Sequence, residues 1–414
     1  MIRRSVFAAA LAAVLTLAAC AGLPEPDRSR LPVPVVVEDG SAARRALNEE
    51  VYDVAVEAVD RYFYDRAFNG VDFAAVAAGA RGEVVSQPTE AGFYTGLNAL
   101  LTRLDDAHTS ATSPTWTLYQ AQARIADART FGWTTTRVVN TASDEFRIFI
   151  NGLRADGPAA RAGVRKGWRI ETVDGQPYDP ATSYLDGSHL WGFVDSEDQA
   201  HEVRFEAVPL PRELGVAERR PDGVLVLRFL SFDRQVREWL FEQLDQARAD
   251  PPRAIVLDVR GNSGGDIRET GRIIGAFFAR PIPYAHFAYR PLPPSTFRTR
   301  RHPHPWLGPV VVVQSGNSAS AAEVLAAAFR EQDRGLVLGQ TSAGAVVAAR
   351  SFRLPDGGEL DVGFSSFRTG GGAVIEKVGV TPDIVVEPTY EDITRGQDSV
   401  LETAVRKALD LAAD

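Results

Sequence analysis

The stretch Pro309-Val-Val-Val-Val-Gln-Ser-Gly-Asn-Ser-Ala-Ser-Ala-Ala-Glu323 decides the fold class of this chain. Its four consecutive valines predict a strand that is buried on both faces of a parallel sheet. The turn residues Ser315-Gly-Asn317 end that strand, and the Ala- and Leu-rich run Ala319–Arg330 predicts the helix that follows. Ser320 is therefore expected where a buried strand passes into the N-terminus of a helix.

Two interpretations of Ser320 are open. The first N–H groups of a helix have no partner within the helix, and the helix dipole favours negative charge there. A serine hydroxyl at this place therefore has an oxyanion site beside it. Ser320-x-x-Glu323 is also a capping box, which stabilises many helices without any catalytic role.

A second strand-turn-helix segment has the same layout. Pro252–Arg260 predicts a short buried strand, Gly261-Asn-Ser-Gly-Gly265 a turn, and Ile267–Phe278 a helix. Ligands of such open α/β sheets bind beyond the carboxyl ends of the strands. The paired glycines Gly264 and Gly265 allow backbone N–H groups to approach a ligand closely. A phosphate-binding turn is the alternative, but the Walker pattern is absent.

Together these two segments resemble a known family. Asp258-Val-Arg-Gly-Asn-Ser-Gly-Gly265, followed by Gly316-Asn-Ser-Ala-Ser-Ala-Ala-Glu323, is similar to the motifs of peptidase family S41, the C-terminal processing and tricorn-type serine proteases. The resemblance implies a ClpP/crotonase-like core. It also implies a polypeptide substrate, and no metal or other cofactor.

The resemblance assigns roles to individual residues. Ser320 would attack a peptide carbonyl and form an acyl-enzyme, and His108, in Asp105-Asp-Ala-His-Thr-Ser110, would be its general base. Without the resemblance, a lone histidine after a helix is usually a C-terminal cap or a surface residue. The backbone N–H groups expected to form the oxyanion hole are that of Ala321 and that of Gly264 or Gly265.

The chain departs from the Ser-Lys branch of the family. Ala345 stands where that branch carries its lysine base, and Ala349 stands where it carries a supporting glutamine. The tricorn-like branch uses histidine and a glutamate near the C-terminus instead. Glu376, which precedes Gly379-Val-Thr-Pro-Asp383, matches that glutamate.

Glu376 is therefore expected to orient or polarise His108. In the tricorn-like branch this contact runs through a serine just before the histidine, and here that residue is Ala107. Glu376 would then act directly, through Thr109 or through water. The alternative is an exposed glutamate paired with an arginine.

The remaining segments predict a multidomain α/β protein. Residues 44–125 show helical spacing of apolar residues and predict an N-terminal helical domain. Residues 126–212 resemble a β-rich PDZ domain, and Gly157–Gly175 matches its helix-then-strand signature. Residues 213–414 predict the S41-type peptidase core, a mixed sheet with helices on its faces.

The PDZ-like segment predicts a peptide-binding site. Phe131, Gly132 and Trp133 stand where PDZ domains carry their carboxylate-binding loop. A peptide would bind there by adding a strand to an exposed sheet edge. A small β-domain with only a structural role is the alternative.

The N-terminus predicts export. In residues 1–19 the positively charged Arg3 and Arg4 precede the apolar run Val6–Ala19, which is too short for a comfortable membrane span. Leu17-Ala-Ala-Cys20 resembles the lipobox of bacterial lipoproteins.

Cys20 is the single cysteine of the chain and would carry the lipid anchor. A buried cysteine in an ordinary signal peptide is the alternative. Residues 20–43 are rich in proline and polar residues and predict a tether. Ala21 follows the cysteine, and by resemblance to the bacterial sorting rule this favours the outer membrane, with the protein facing the periplasm.

Composition limits the function classes. The 414 residues suffice for two or three domains, and a net charge of −9 with interspersed signs argues against a nucleic-acid partner. The HExxH motif of metalloproteases is absent. An esterase of another fold is disfavoured because Gly-x-Ser-x-Gly is absent around Ser320. A catalytically inactive relative that binds peptides or apolar ligands remains the main alternative to an active peptidase.

Overall fold

The computed structural model describes residues 31–106, 108–118, 129–140, 145–179, 184, 186–289 and 293–413. Cys20, the predicted lipidation site, and Ala107 lie outside the described residues. The described residues fall into two compact units. One lies within Met1–Gln122, Phe287–Pro294 and Val347–Ser366, and the other within Ala123–His286, Ser295–Val346 and Phe367–Asp414.

The helices of the structure include the two predicted after the turns, which are observed at Ile267–Gly275 and Ala321–Glu331. In several of them a side-chain oxygen of the preceding residue accepts an N–H of the first turn, as at Ser41, Asp233 and Asp398. The α-helices are α1 (Ala42–Tyr62), α2 (Phe73–Val85), α3 (Glu90–Leu101), α4 (Pro158–Arg161), α5 (Arg234–Ala249), α6 (Ile267–Gly275), α7 (Ala321–Glu331), α8 (Tyr390–Thr394) and α9 (Ser399–Leu411). Short 3-10 turns occupy Phe68–Gly70 and Thr102–Leu104. Among the described residues, no helix combines the length and apolar character needed to cross a bilayer.

The strands are β1 (Ser110–Thr112), β2 (Arg129–Thr130), β3 (Trp133–Asn140), β4 (Glu145–Leu153), β5 (Arg169–Val173), β6 (Gln176–Pro177), β7 (Ser188–Val194), β8 (Ala200–Glu206), β9 (Val208–Pro209), β10 (Val216–Arg219), β11 (Val224–Arg228), β12 (Ala254–Asp258), β13 (Pro283–Tyr289), β14 (Ser295–Arg298), β15 (Val310–Gln314), β16 (Leu336–Gly339), β17 (Ala348–Arg353), β18 (Glu359–Thr369) and β19 (Ile384–Val385).

The larger unit contains a mixed six-stranded sheet in the order β10-β11-β12-β15-β16-β19. The β10–β11 pair is antiparallel and every other pair is parallel. All residues of β12 and β15 are buried, as expected for central strands covered on both faces. The predicted α/β core is therefore confirmed, and the ends of β12 and β15 lie side by side.

Helices cover both faces of this sheet. Val311 and Val313 pack in one cluster with Leu401, Ala404 and other residues of α9. Because strand side chains alternate between faces, Val310 and Val312 point to the opposite face, where they are also fully buried. The helix α7, which starts at Ser320, follows β15 directly and packs on β15 and β16.

A β-rich domain, here called the middle domain, belongs to the same unit. Its sheet has the order β3-β4-β5-β7-β8, with β6 pairing β5, and β2 pairs β9. Trp191 and Phe193 are 1% exposed and lie at the centre of its core. An aromatic core of this size holds the domain together without a disulfide.

The smaller unit is built from α1, α2 and α3 together with the hairpin β17–β18. Phe352 and Leu360 of the hairpin are fully buried in the same cluster as the helices. The strand β1 pairs antiparallel with β18, with Ser110 opposite Asp361. Residues 354–358 join the two strands of the hairpin, and the Tyr94 hydroxyl donates to the buried Asp356 there. The structure thus groups residues 347–366 with the N-terminal helices, although these residues lie within the predicted core domain 213–414.

Candidate active site

Ser320 lies between β15 and α7, at the place that the sequence predicts. Its backbone adopts φ 54° and ψ −116°. Serines that only cap helices adopt extended backbone, as Ser41 does at φ −78° and ψ 162°. A non-glycine residue in such a conformation stores about 1–3 kcal/mol of strain, and such strain clusters at functional sites. The geometry therefore favours a functional role for Ser320 over simple capping.

The glycine turn 261–265 packs directly against this serine. A methyl group added at Gly264 would lie 2.6 Å from Ser320 Cβ, 3.0 Å from Ser320 Oγ and 3.1 Å from the backbone nitrogen of Ala321. Gly264 also has φ +107°, a conformation that L side chains rarely adopt. Only glycine fits here, because the turn must approach the hydroxyl so closely.

The N–H groups of the two glycines differ in their partners. The Gly264 N–H donates to Asn262 Oδ1 at 2.8 Å. In the described part of the chain, the N–H groups of Gly265 and Ala321 have no hydrogen-bond acceptor. Of the two glycines that the sequence left open, Gly265 is the one whose N–H remains available for a ligand.

Asn262 positions this turn from within. Its side chain is fully buried and donates to the Phe229 carbonyl at 3.0 Å, while the backbone carbonyl of Asn262 accepts the Ala319 N–H at 2.9 Å. The second contact joins the glycine turn to the residue before Ser320. Through its side chain and its backbone carbonyl, Asn262 thus holds the glycine turn beside the residue that precedes Ser320.

A buried carboxylate supports the backbone of Ser320. Glu323 is fully buried and accepts four hydrogen bonds. Its Oε2 accepts the N–H groups of Ser320 and Ala345, each at 2.9 Å. Its Oε1 accepts the Ser342 hydroxyl at 2.6 Å and the Gly344 N–H at 2.7 Å. Glu323 therefore ties the start of α7 to the segment 342–345.

Glu376 belongs to the same unit and contacts the same segment. Its Oε2 accepts the Val346 N–H at 2.9 Å. The next residue, Lys377, donates its N–H to the Gly344 carbonyl at 2.6 Å. Segment 342–346, in which the Ser-Lys branch would carry its lysine, is thus held between the carboxylates of Glu323 and Glu376.

His108 belongs to the smaller unit, between the turn that follows α3 and the strand β1. Its Nδ1 lies 3.8 Å from Asp106 Oδ1, and the Asp106 side chain is only 2% exposed. Burial alone would raise the pKa of Asp106, but the neighbouring His108 and the hydrogen bond from the Thr109 hydroxyl outweigh burial and lower that pKa. An ionised carboxylate beside an imidazole stabilises the imidazolium and fixes its orientation.

Thr109 completes this arrangement. Its hydroxyl donates to Asp106 Oδ2 and accepts the Gly363 N–H at 3.0 Å. A methyl group added at Gly363 would lie 2.6 Å from Asp106 Oδ2, so the carboxylate is packed tightly against β18.

An ionic network lies beneath the glycine turn. Asp258 is fully buried and accepts hydrogen bonds from Arg228 and Arg260. Arg260 also donates to both carboxylate oxygens of Asp398, each at 2.7 Å. Burial alone would raise the pKa of Asp258, but Arg260 and Arg228 outweigh it and lower the pKa to about 2.

The predicted peptide-binding residues lie in and beside the aromatic core of the middle domain. Phe131 is buried, with its ring centroid 4.8 Å from those of both Trp133 and Trp191. The Gly132 N–H donates to Thr130 Oγ1 at 3.0 Å. The peptide-binding role of these residues stays a prediction.

Known proteins resemble this chain along most of its length. A putative tricorn protease homologue of Streptomyces coelicolor is 28% identical over 87% of this chain, which spans 32% of that protein. A chloroplastic carboxyl-terminal-processing peptidase of Arabidopsis thaliana is 25% identical and covers 84% of this chain, which spans 71% of that protein. The solved photosystem II D1 C-terminal processing protease superposes with a TM-score of 0.58 at 20% identity, covering 85% of this chain and 98% of its own.

The family model that matches this chain is that of peptidase family S41, over residues 223–386. The chain carries a peptidase S41 domain. This family supports a serine-type hydrolase, and the solved structures share the mixed helix and sheet fold. Ser320, Gly264 and Gly265 all lie within the matched residues.

The sequence did not predict the structural roles of three residues: Glu323 and Asn262 beside Ser320, and Asp106 beside His108. Glu323 was considered only as part of a capping box, and Asn262 and Asp106 were given no role. Asp106 carried a signal, since an acidic residue two positions before a candidate base can orient it. Asn262 carried none, because its partners Phe229 and Ala319 lie far from it in sequence.

Proposed function

We propose that this protein is an active serine endopeptidase that hydrolyses peptide bonds through an acyl-enzyme. The observation that carries the proposal is the strained backbone of Ser320 beside the available N–H groups of Gly265 and Ala321. A nucleophile exposed on a strained strand-to-helix turn next to oxyanion donors is what acyl transfer requires.

The proposed reaction uses Ser320 Oγ as the nucleophile. His108 takes the hydroxyl proton while Oγ attacks the peptide carbonyl, and the Gly265 and Ala321 N–H groups bind the resulting oxyanion. His108 then gives the proton to the leaving amine as the C–N bond breaks. Water, deprotonated by His108, attacks the acyl-enzyme, and the returning proton frees the serine.

Asp106 and Glu376 are proposed to support the base. The lowered pKa of Asp106 keeps a negative charge beside His108 Nδ1, which stabilises the imidazolium formed during attack. For Glu376 we retain the role that the tricorn-like motif implies, orientation or polarisation of His108. The comparison of Asp106→Asn with Glu376→Gln separates the two: the variant with the larger loss in kcat identifies the main partner of the base.

The middle domain is proposed to hold part of the polypeptide substrate. It has a surface groove of about 610 Å³ beside β8 and β9, lined by Pro158, Arg161, Ala162, Ser188, Phe205, Glu206 and Val208. Phe205 packs edge-on against Phe131 in the domain core, which places the groove near the predicted loop. A lipid anchor at Cys20, with the protein facing the periplasm, completes the proposal.

An inactive scaffold that binds peptides is the second candidate. It is favoured by Ala107, which stands where the tricorn-like branch has the serine that links its glutamate to the histidine. A fluorophosphonate probe decides between the two candidates, because it reacts covalently only with an activated serine. We expect the full-length chain to be labelled, and Ser320→Ala to abolish labelling.

Matched controls make this experiment specific. Ser41→Ala removes an ordinary capping serine and is expected to cost about 1 kcal/mol of stability without affecting labelling. His108→Ala is expected to lower the labelling rate at least a hundredfold, and removal of the exposed His304 is expected to change nothing. A folded wild type that resists the probe, even with peptide added, would support the scaffold instead.

A further inference from the structure

The middle domain and the peptidase core approach each other closely at the backbone of Gly167 and Gly396. A methyl group added at Gly167 would lie 2.4 Å from the Thr394 carbonyl oxygen and 2.6 Å from the Gly396 nitrogen. One added at Gly396 would lie 2.8 Å from the Lys166 carbonyl oxygen. Gly167 and Gly396 have φ +86° and +63°, so both backbone conformations favour glycine. The segments around Gly167 and Gly396 therefore meet at a place where neither glycine can be replaced by a residue with a side chain without displacing the other segment.

The segment that receives this contact is tightly braced. Thr389 caps α8 through Asp392, and Asp392 Oδ2 also accepts the Ser399 hydroxyl at 2.7 Å. The Gln397 N–H donates to the Asp392 carbonyl at 2.8 Å. Because residues 389–399 are held together by these bonds, a shift at Gly396 is passed on to the residues that follow it.

Asp398 stands two residues after this contact and has two functions in the fold. Its Oδ1 accepts the Leu401 N–H at 3.0 Å and so caps α9. Its two oxygens also receive a bidentate hydrogen bond from Arg260, the residue that leads into the glycine turn. Arg260 is bound at its other side to Asp258, through both its backbone N–H and its guanidinium. A guanidinium held on two sides restricts the backbone from which the turn begins.

We infer that Asp398 is a positioning residue of the peptidase site, which holds the oxyanion turn 261–265 through Arg260 and is itself held by the middle domain through Gly396. The inference rests on the proposed function for its kinetic consequence. It assigns the N-terminus of α9 a role in the reaction, although Asp398 touches no reacting atom. It also makes the seating of the middle domain a condition for an ordered oxyanion site.

The first test disturbs the contact from the side of the middle domain. Gly167→Ala forces a methyl group against Thr394 and Gly396, and we expect fluorophosphonate labelling of Ser320 to slow about tenfold. Gly175→Ala is the matched control, because Gly175 has φ +77° in the same domain but open space around it. It is expected to label at the wild-type rate.

The second test separates the two functions of Asp398. Asp398→Ser keeps a helix-capping hydroxyl but cannot reach Arg260, so melting should change little while labelling slows about tenfold. For a short ester substrate, kcat should fall while KM stays constant, since a positioning residue acts on the transition state. The double variant Gly167→Ala/Asp398→Ser should label no more slowly than the slower of the two single variants, because both changes act through the same link from Gly396 to Arg260.

Hydrogen exchange of the peptide spanning residues 259–266 provides a readout that does not need activity. Faster exchange there in Gly167→Ala, but not in Gly175→Ala, is the expected result. Equal exchange and equal labelling in these two variants would overturn the inference, as would a hundredfold loss in the double variant. If the wild type is not labelled but exchange at residues 259–266 is still faster in Gly167→Ala, the proposed function is refuted while the coupling of the middle domain to the glycine turn is supported.

Discussion

Removal of the Glu323 carboxylate is expected to damage the fold and the candidate active site together. Glu323→Ala leaves four donors without their acceptor, those of Ser342 and Gly344, which are buried, and those of Ser320 and Ala345, which are partly buried. A buried donor without a partner costs about 1–3 kcal/mol. The relief from burying a charge offsets part of this cost, so we expect a loss of about 4 kcal/mol, a large share of a typical stability of about 5–15 kcal/mol.

Glu323→Gln is expected to lower the free energy of unfolding by less than Glu323→Ala does. If the amide nitrogen takes the place of Oε2, it faces two N–H donors, those of Ser320 and Ala345. If it takes the place of Oε1, it faces the Gly344 N–H and the Ser342 hydroxyl, and a hydroxyl can also accept. The second orientation leaves one donor unpaired, and we expect a cost of about 1–3 kcal/mol.

Thermal unfolding and the rate of fluorophosphonate labelling together test this reasoning. Without the Glu323 carboxylate, the backbone of Ser320 can relax from φ 54°. Labelling should therefore be fastest in the wild type, slower in Glu323→Gln and slowest in Glu323→Ala. Glu57→Gln, at an exposed position of α1, is the control for loss of one negative charge. A Glu323→Ala variant that melts and labels like the wild type would show that the buried carboxylate supports neither the fold nor the serine.

Two further predictions concern the glycine turn and the network beneath it. Gly265→Ala places a methyl group 2.3 Å from the Phe232 carbonyl oxygen. Turnover should fall at least a hundredfold, because the change displaces an oxyanion donor. Gly261 has open space around it, so Gly261→Ala should lower turnover far less. The pKa of Asp258, about 2 in the folded state, lies below its unfolded value of about 3.9, so its stabilisation of roughly 2 kcal/mol is complete above pH 5 and is lost as the pH falls towards 2. Arg228→Gln should move that loss to higher pH in melting curves, and an unchanged pH profile would contradict the assignment.

Local patterns along the sequence were enough to predict the elements of the core. Four consecutive valines predict a buried strand wherever they occur, and small turn residues followed by an Ala-rich run predict the helix at Ser320. The paired glycines predict a turn whose backbone N–H groups can approach a ligand closely, but not that Gly264 packs against Ser320. These signals are short-range, because periodicity and backbone freedom are properties of consecutive residues.

Other features depend on partners distant in sequence. No local signal shows that Asn262 takes the N–H of Gly264 and leaves that of Gly265 available. The pairing of Arg260 with Asp398 spans 138 residues, and Tyr94 meets Asp356 across 262. Such pairs are selected by the way the sheets and helices pack.

The sequence by itself determined which residues can carry the chemistry: a serine at a helix start, a histidine in an acidic turn, and glycines where a ligand needs backbone N–H groups. Only the tertiary structure decided which N–H remains available, which carboxylates are buried beside which donors, and how the N-terminus of α9 reaches the glycine turn. The physical reason is that a hydrogen bond depends on distances of about 3 Å, which only the packed chain defines.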